Sequence, residues 1–152
     1  MYGINPQTDG GNDTFPVAEA YFDRTHGARP FVITSATDIM RLIENLAHSA
    51  NNSIASIYIK GRLNRAGVPD HELQLAVKVH PGDTGGLRYT GEDGVFLTCG
   101  GNSAGGVEVY QFMGNEREFP RNFELPLKEI RTAVNEFLES GGDRPASVQW
   151  TT

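Results

Sequence analysis

Cysteine is nearly absent: Cys99 is the only one in 152 residues. An internal disulfide and a Cys-x-x-Cys metal site are therefore both excluded. No run approaches the roughly 20 consecutive apolar residues of a membrane-spanning helix. The opening MYGINPQTDGGND has no basic region followed by an apolar one, so it does not read as a secretory signal. Together these absences lead to the expectation of a cytoplasmic protein with no membrane partner. Positive charge is also in short supply, with 13 Lys and Arg against 19 Asp and Glu, a net charge of -6. Direct nucleic-acid binding usually needs a basic face, so the balance argues against it. An acidic protein does suit a basic protein partner, because opposite charges speed encounter. No fixed-period repeat is visible, which excludes a solenoid.

What is present suits a soluble globular chain: 38% hydrophobic residues, 21% charged, and 18 glycines that promise many turns. The length allows one domain with a real core. Residues 1–14 are polar and read as a flexible lead-in, leaving 15–152 as a single domain. Phe15 to Asp23 alternates as a first strand, with Glu19 its only internal charge, so one face is expected to be wet. Phe31 to Thr34 is a short extended piece. Ile39, Leu42, Ile43, Leu46 and Ala47 then fall at helical spacing, with Ser35 or Thr37 able to cap and Asp38 near the positive end.

Strand patterns follow. Ser53 to Leu63 carries Ile54, Ile57 and Ile59. His71 to His80 sets Leu73, Leu75, Val77 and Val79 against Glu72, Gln74, Ala76 and Lys78, the pattern of one covered and one wet face. Pro81 to Gly86 reads as a turn. Leu87 to Thr90 and Val95 to Cys99 are short strands around Gly91-Glu92-Asp93-Gly94. Val107 to Met113 alternates again, and Gly114 to Arg117 reads as a charged turn. The helices bracket the strands instead of alternating with them. The expected fold is α+β: a curved antiparallel meander with two amphipathic helices on one face, the other face left free for function.

Reactive constellations are weak. Gly101-Asn102-Ser103-Ala104-Gly105 matches the G-x-S-x-G nucleophile elbow, but strand period follows it where a helix is needed. All four histidines also precede Ser103, against the hydrolase order. The match reads as a glycine-rich loop. His26, His48, His71 and His80 form no zinc-binding pair and read as surface or strand-end residues. Cys99 sits in an apolar strand and reads as a small buried side chain. No cofactor and no metal are expected. Carboxylates crowd the turns: Asp83, Glu92, Asp93 and Glu116. They read as solvated turns or as a lure for cations on a partner, the second reading gaining Glu108 from the neighbouring strand. Tyr89 and Tyr110 are candidate aromatic anchors, with core packing an equal reading of each.

The stretch from Pro126 to Trp150 is the most informative. Leu127, Ile130, Ala133, Val134, Phe137 and Leu138 make one apolar helical stripe, opened by Pro126 in the first turn and ended by Gly141 and Gly142. Pro145 blocks its resumption. A strand from Ala146 to Thr151 carries the only tryptophan. Phe137, Leu138, Gly141, Gly142, Arg144, Pro145, Val148 and Trp150 make a pattern that resembles the type-one immunity proteins of bacterial polymorphic toxin systems. Here Arg144 reads as a cation near helix-end carbonyls and Trp150 as a core residue beneath the helix. Both are scaffold roles, as for Phe137, Gly141, Gly142 and Pro145.

The resemblance implies a non-enzymatic antitoxin. Such a protein would be a monomer alone and a heterodimer with its cognate toxin domain, often of the deaminase superfamily, whose active site it would occlude. A rival reading is a small-molecule-binding or enzymatic α+β domain with its pocket between sheet and helices.

Overall fold

The computed structural model describes residues 14–80, 82–100 and 105–152. The expected lead-in therefore falls outside the described residues, apart from Thr14, and so does most of the G-x-S-x-G match. In chain order the described residues form β1 (Thr14–Tyr21), β2 (Phe31–Ser35), α1 (Ala36–Ala47), β3 (Ser53–Ile59), β4 (Glu72–Lys78), β5 (Thr84–Gly91) and β6 (Gly94–Thr98). There follow β7 (Val107–Phe112), β8 (Asn115–Pro120), β9 (Leu125–Pro126), α2 (Leu127–Glu139) and β10 (Trp150–Thr151).

The fold is α+β, with the helices bracketing most of the strands as the order of patterns implies. The main sheet runs β10-β6-β5-β4-β3-β1-β2 and is open, with no strand among the described residues closing it on itself. Its central pairs are antiparallel, and β3 through β6 form the expected meander. The hairpin β7–β8 joins β3 through a single parallel pair, Ser53 with Gln111. β9 pairs with the start of β5.

Both helices lie on one face. From α1 come Ile39, Leu42 and Leu46; from α2 come Ile130, Ala133, Val134, Phe137 and Leu138. They pack on alternate strand residues such as Ala18, Ile57, Leu73, Leu75 and Leu87. These side chains pack the middle of the layer between sheet and helices. Burying each large apolar side chain contributes about 1.5–3 kcal/mol. At the start of α1, Ser35 makes no side-chain cap bond. Asp38, in the first turn, reaches back to the strand before the helix, accepting from Thr34 N at 2.9 Å and from Thr34 Oγ1 at 3.2 Å. Pro126 stands at the cap position of α2, one residue before the helix.

The opposite face departs from expectation. It is not uniformly wet: Gln74 and Ala76 are buried there. The β7–β8 hairpin and the 3-10 turn Arg121–Phe123 fold over one end of it. Tyr110, Phe119 and Phe123 then close on Ile54 and Ala76 as a second core. Phe119 stacks on Phe123 with centroids 4.7 Å apart, and Tyr110 meets both edge-on at 5.7 and 5.9 Å.

Two further differences share that cause. β5 begins at Thr84 because Gly85 and Gly86 are strand residues, not a turn. A side chain at Gly85 would run into the Ala76 carbonyl, and one at Gly86 into the Phe123 ring. β8 forms from the charged NEREFP segment, and the turn shrinks to Met113 and Gly114, both at positive φ. An edge strand needs only one partner, so charged side chains can point to water along its length.

Candidate partner-binding face

The C-terminal corner stands behind the uncovered end and braces Asp70 and His71 from the helix side of the sheet. α2 closes with Gly141 and Gly142 at φ 76° and 106°, and Gly142 N donates to Phe137 O at 2.8 Å. Arg62 Nη1 donates to Gly141 O at 2.9 Å and to Asp143 at 3.1 Å, while its Nε reaches Asp70 at 3.0 Å. The cation at this helix end is therefore Arg62. Arg144, expected in that role, lies instead over the Phe96 ring, 3.9 Å from its centroid. Tyr89 Oη donates to Gly142 O at 2.9 Å, and Trp150 Nε1 donates to Pro145 O at 2.7 Å. Pro145 is buried, and Phe137 fills the core below. The strand expected from Ala146 shrinks to Trp150 and Thr151.

His71 completes the corner and corrects the surface reading, since it is 3% exposed. Its Nε2 accepts from Ile59 N at 2.8 Å, so Nδ1 carries the proton and donates to Asp70 at 3.0 Å. Burial lowers its pKa below the ordinary histidine value, keeping the ring neutral.

Beside this corner, on the face away from the helices, lies a cleft of about 680 Å³. Strand alternation puts its floor in place. Glu19 pairs with Tyr58 across β1 and β3, and Glu72 with Thr90 across β4 and β5. Tyr21 stands opposite Ser56, while Gln74 and Arg88 pair one step further on, where they line a neighbouring hollow with Arg117, Glu118 and Phe119. The 61–70 loop supplies a rim with Leu63, Asn64 and Pro69, and Glu92 supplies another.

Glu72 is the organised group. Its Oε2 accepts from Ser56 Oγ at 2.6 Å, Tyr58 Oη at 3.0 Å and Gln74 Nε2 at 3.4 Å. Arg88 Nη1 stands 4.0 Å from Oε1, beyond hydrogen-bond reach. Tyr58 is pushed up to about 12 by burial and then by the Glu72 charge, so it stays a donor. Burial also raises Tyr21, aided by Glu19. The Tyr21 and Tyr58 rings meet edge-on with centroids 6.0 Å apart. Among the cleft residues Glu19, Asp70, Glu72 and Glu92 are acidic and Lys60 is the cation.

The sequence-derived anchors are dispersed. Tyr110 is fully buried in the second core and Tyr89 is buried in the first, so neither offers a surface to a partner. Burial is the physical reason: Tyr110 packs against Phe119 and Phe123, and Tyr89 against Phe137 and Trp150. Glu108 is tied to Lys78 at 3.1 Å and lies 3.8 Å from Arg121. Glu116 is exposed on β8. Asp83 precedes β5 and Glu92-Asp93 follow it, so the strand separates them by roughly 25 Å. Of these only Glu92 lines the cleft, with Asp93 next to it in the chain. Sequence reasoning passed over Glu19, Tyr21, Tyr58 and Glu72. Their signal was alternation alone, which assigns a face but not which part of it stays bare. Among the described residues no three His, Cys, Asp or Glu groups converge as a metal site, and no helix is long and apolar enough to cross a membrane.

An open sheet braced by helices on one side and presenting an acidic, tyrosine-walled cleft on the other defines an α+β domain built to display a surface. The family model described as immunity protein Imm1 matches residues 27–152, and the chain belongs to that family. The matched span takes in the C-terminal corner and nearly every element that supports the cleft. Membership indicates an immunity protein, whose partner is a cognate toxin protein. No curated protein matches the chain.

Proposed function

We propose that this protein is a cytoplasmic antitoxin that blocks a toxin domain by laying the bare end of its sheet over the toxin's active site. The observation that carries this is the uncovered half-face, with Glu19, Glu72 and Glu92 around one cleft and Asp93 beside it. The net charge of -6 favours encounter with a basic enzyme. A nucleic-acid or nucleotide deaminase fits that description, because an enzyme that holds phosphates needs a basic cleft. The protein itself does no chemistry in this reading and binds no nucleic acid directly. It is a monomer until it meets the toxin, then half of a heterodimer with an interface of about 1,600 Å².

The test mixes the chain with the toxin domain encoded beside it. The expected outcome is a one-to-one complex on sizing and loss of toxin activity. Replacing Glu92 and Asp93 together by Lys should slow association and leave folding intact. No complex would end the immunity reading. A complex with undiminished toxin activity would end active-site occlusion.

A further inference from the structure

We infer that the cleft on the bare sheet face receives an arginine side chain from a basic loop of the toxin, held by Glu72 and Glu19 against the Tyr21 and Tyr58 rings. The inference rests on the immunity reading and names the chemistry that this surface recognises.

Three independent features meet there. The first is a carboxylate held in advance. Three donors fix Glu72 Oε2, while Oε1 receives no hydrogen bond among the described residues. Such a group binds a cation without first losing its own freedom. The second is the pair of tyrosine rings in the same cleft, which attract a guanidinium through their faces and bury its stem. The third is the border. Val17 and Val32 lie on the same side of their strands as Glu19 and are 39% and 51% exposed. They offer apolar contact around a charged centre, the arrangement that excludes water from an anchoring residue.

Charge complementarity selects the occupant. Asp70 is engaged by Arg62 and His71, which leaves Glu19, Glu72 and Glu92 to face a ligand. Their sum is negative even against Lys60 and the Arg88 guanidinium, which stands 4.0 Å from Glu72 Oε1 without donating to it. Arginine fits better than lysine because its planar fork meets a carboxylate side-on while lying on an aromatic ring. An inhibitor that withdraws an arginine from a phosphate-handling enzyme also removes a group that enzyme needs for substrate.

The experiment measures binding of the adjacent-encoded toxin domain to the wild-type chain and to Glu72→Gln, Glu19→Gln and Glu139→Gln. The Glu19 side chain makes no hydrogen bond among the described residues and its backbone pairing in the sheet is untouched by the change, so its variant isolates the cleft's charge from any effect on folding. Glu139 is exposed on α2, away from the cleft, and serves as the control. The expected result is a loss of at least about tenfold for each cleft variant, mostly as faster dissociation, and less than twofold for the control. An Arg-to-Lys scan of the toxin should then find one position whose effect disappears in the Glu72→Gln background. Wild-type binding with both cleft variants within twofold overturns this inference and leaves the immunity reading standing. So does a scan in which no arginine couples to Glu72. Failure of the wild-type chain to bind overturns the immunity reading, and this inference with it.

Discussion

The two ends of the face opposite the helices begin alike and finish differently. Both are paved by the same strands, with polar residues alternating against the core. At one end the β7–β8 hairpin and the Arg121–Phe123 turn close over Ile54 and Ala76. Lys78 there is drawn between Glu108 and Glu124 at 3.1 and 3.5 Å, and its charge is spent on holding the cover down. At the other end nothing covers the floor among the described residues, and Glu19, Glu72 and Glu92 border a cleft. Carboxylates of one kind are thus structural under a lid and available without one. Composition cannot separate the two; coverage does.

Truncation is the strongest way to break the comparison. Phe123→Ala removes the ring that packs on Gly86 and stacks on Phe119. It should cost about 3–5 kcal/mol in urea unfolding. If it costs less than a surface change, the hairpin is not a lid. Gly142→Ala acts on the corner that braces the bare end from behind. The residue sits at φ 106°, and a Cβ there would come within 2.9 Å of Arg62 Nη1 and 3.0 Å of His71. A loss of about 1–3 kcal/mol is expected, read as a lower melting temperature.

The bare end itself should be cheap to alter. Tyr21→Ala is expected to change stability by about 1 kcal/mol or less, which chemical denaturation would register against Phe123→Ala. Arg144→Ala loses only an exposed contact with the Phe96 ring, and about 0.5–1 kcal/mol should go with it in the same assay.

Acid sharpens the comparison further. His71 is held neutral in the fold, with its pKa below the ordinary value near 6.5, mainly by burial. The unfolded chain takes up that proton first. The stability contributed by the neutral ring is therefore whole above about pH 6.5 and is lost as pH falls through the lowered folded value. Unfolding free energies across pH 7.5 to 5 should show this slope, and His71→Gln should flatten it.

Much of the fold is legible without coordinates. Leu42 and Leu46, or Val134 and Leu138, recur at helical spacing because one side of a helix must be dry. Leu73, Leu75 and Val77 alternate because one side of a strand must be. Gly141 and Gly142 announce a helix end because their backbone is free to turn left-handed. Other features were hidden for equally physical reasons. Gly85 and Gly86 look like a turn until Ala76 and Phe123 press on them. The segment NEREFP looks like a loop because an edge strand does not require apolar residues. His71 looks like a surface histidine because its partners, Ile59 N and Asp70, are set by a fold-back of the chain and not by spacing.

The candidate site divides in the same way. Glu92 and Asp93 stand out in any reading as an acidic turn, and they do lie at the cleft end. Glu19, Tyr58 and Glu72 come from three separate strands, and only register makes them neighbours. Tyr89 and Tyr110 are aromatic residues on the right strands, yet both are buried. Their side chains point where a second layer packs, which no local pattern reveals.

The amino-acid order alone determined the two helices, the meander, the glycine corner and the excess of negative charge, since each follows from a residue's own conformational freedom, period or ionisation. Only the tertiary structure decided which half of a strand face is roofed and which is bare. That outcome depends on where a distant hairpin comes to rest, a contact between residues far apart in the chain that no local preference encodes.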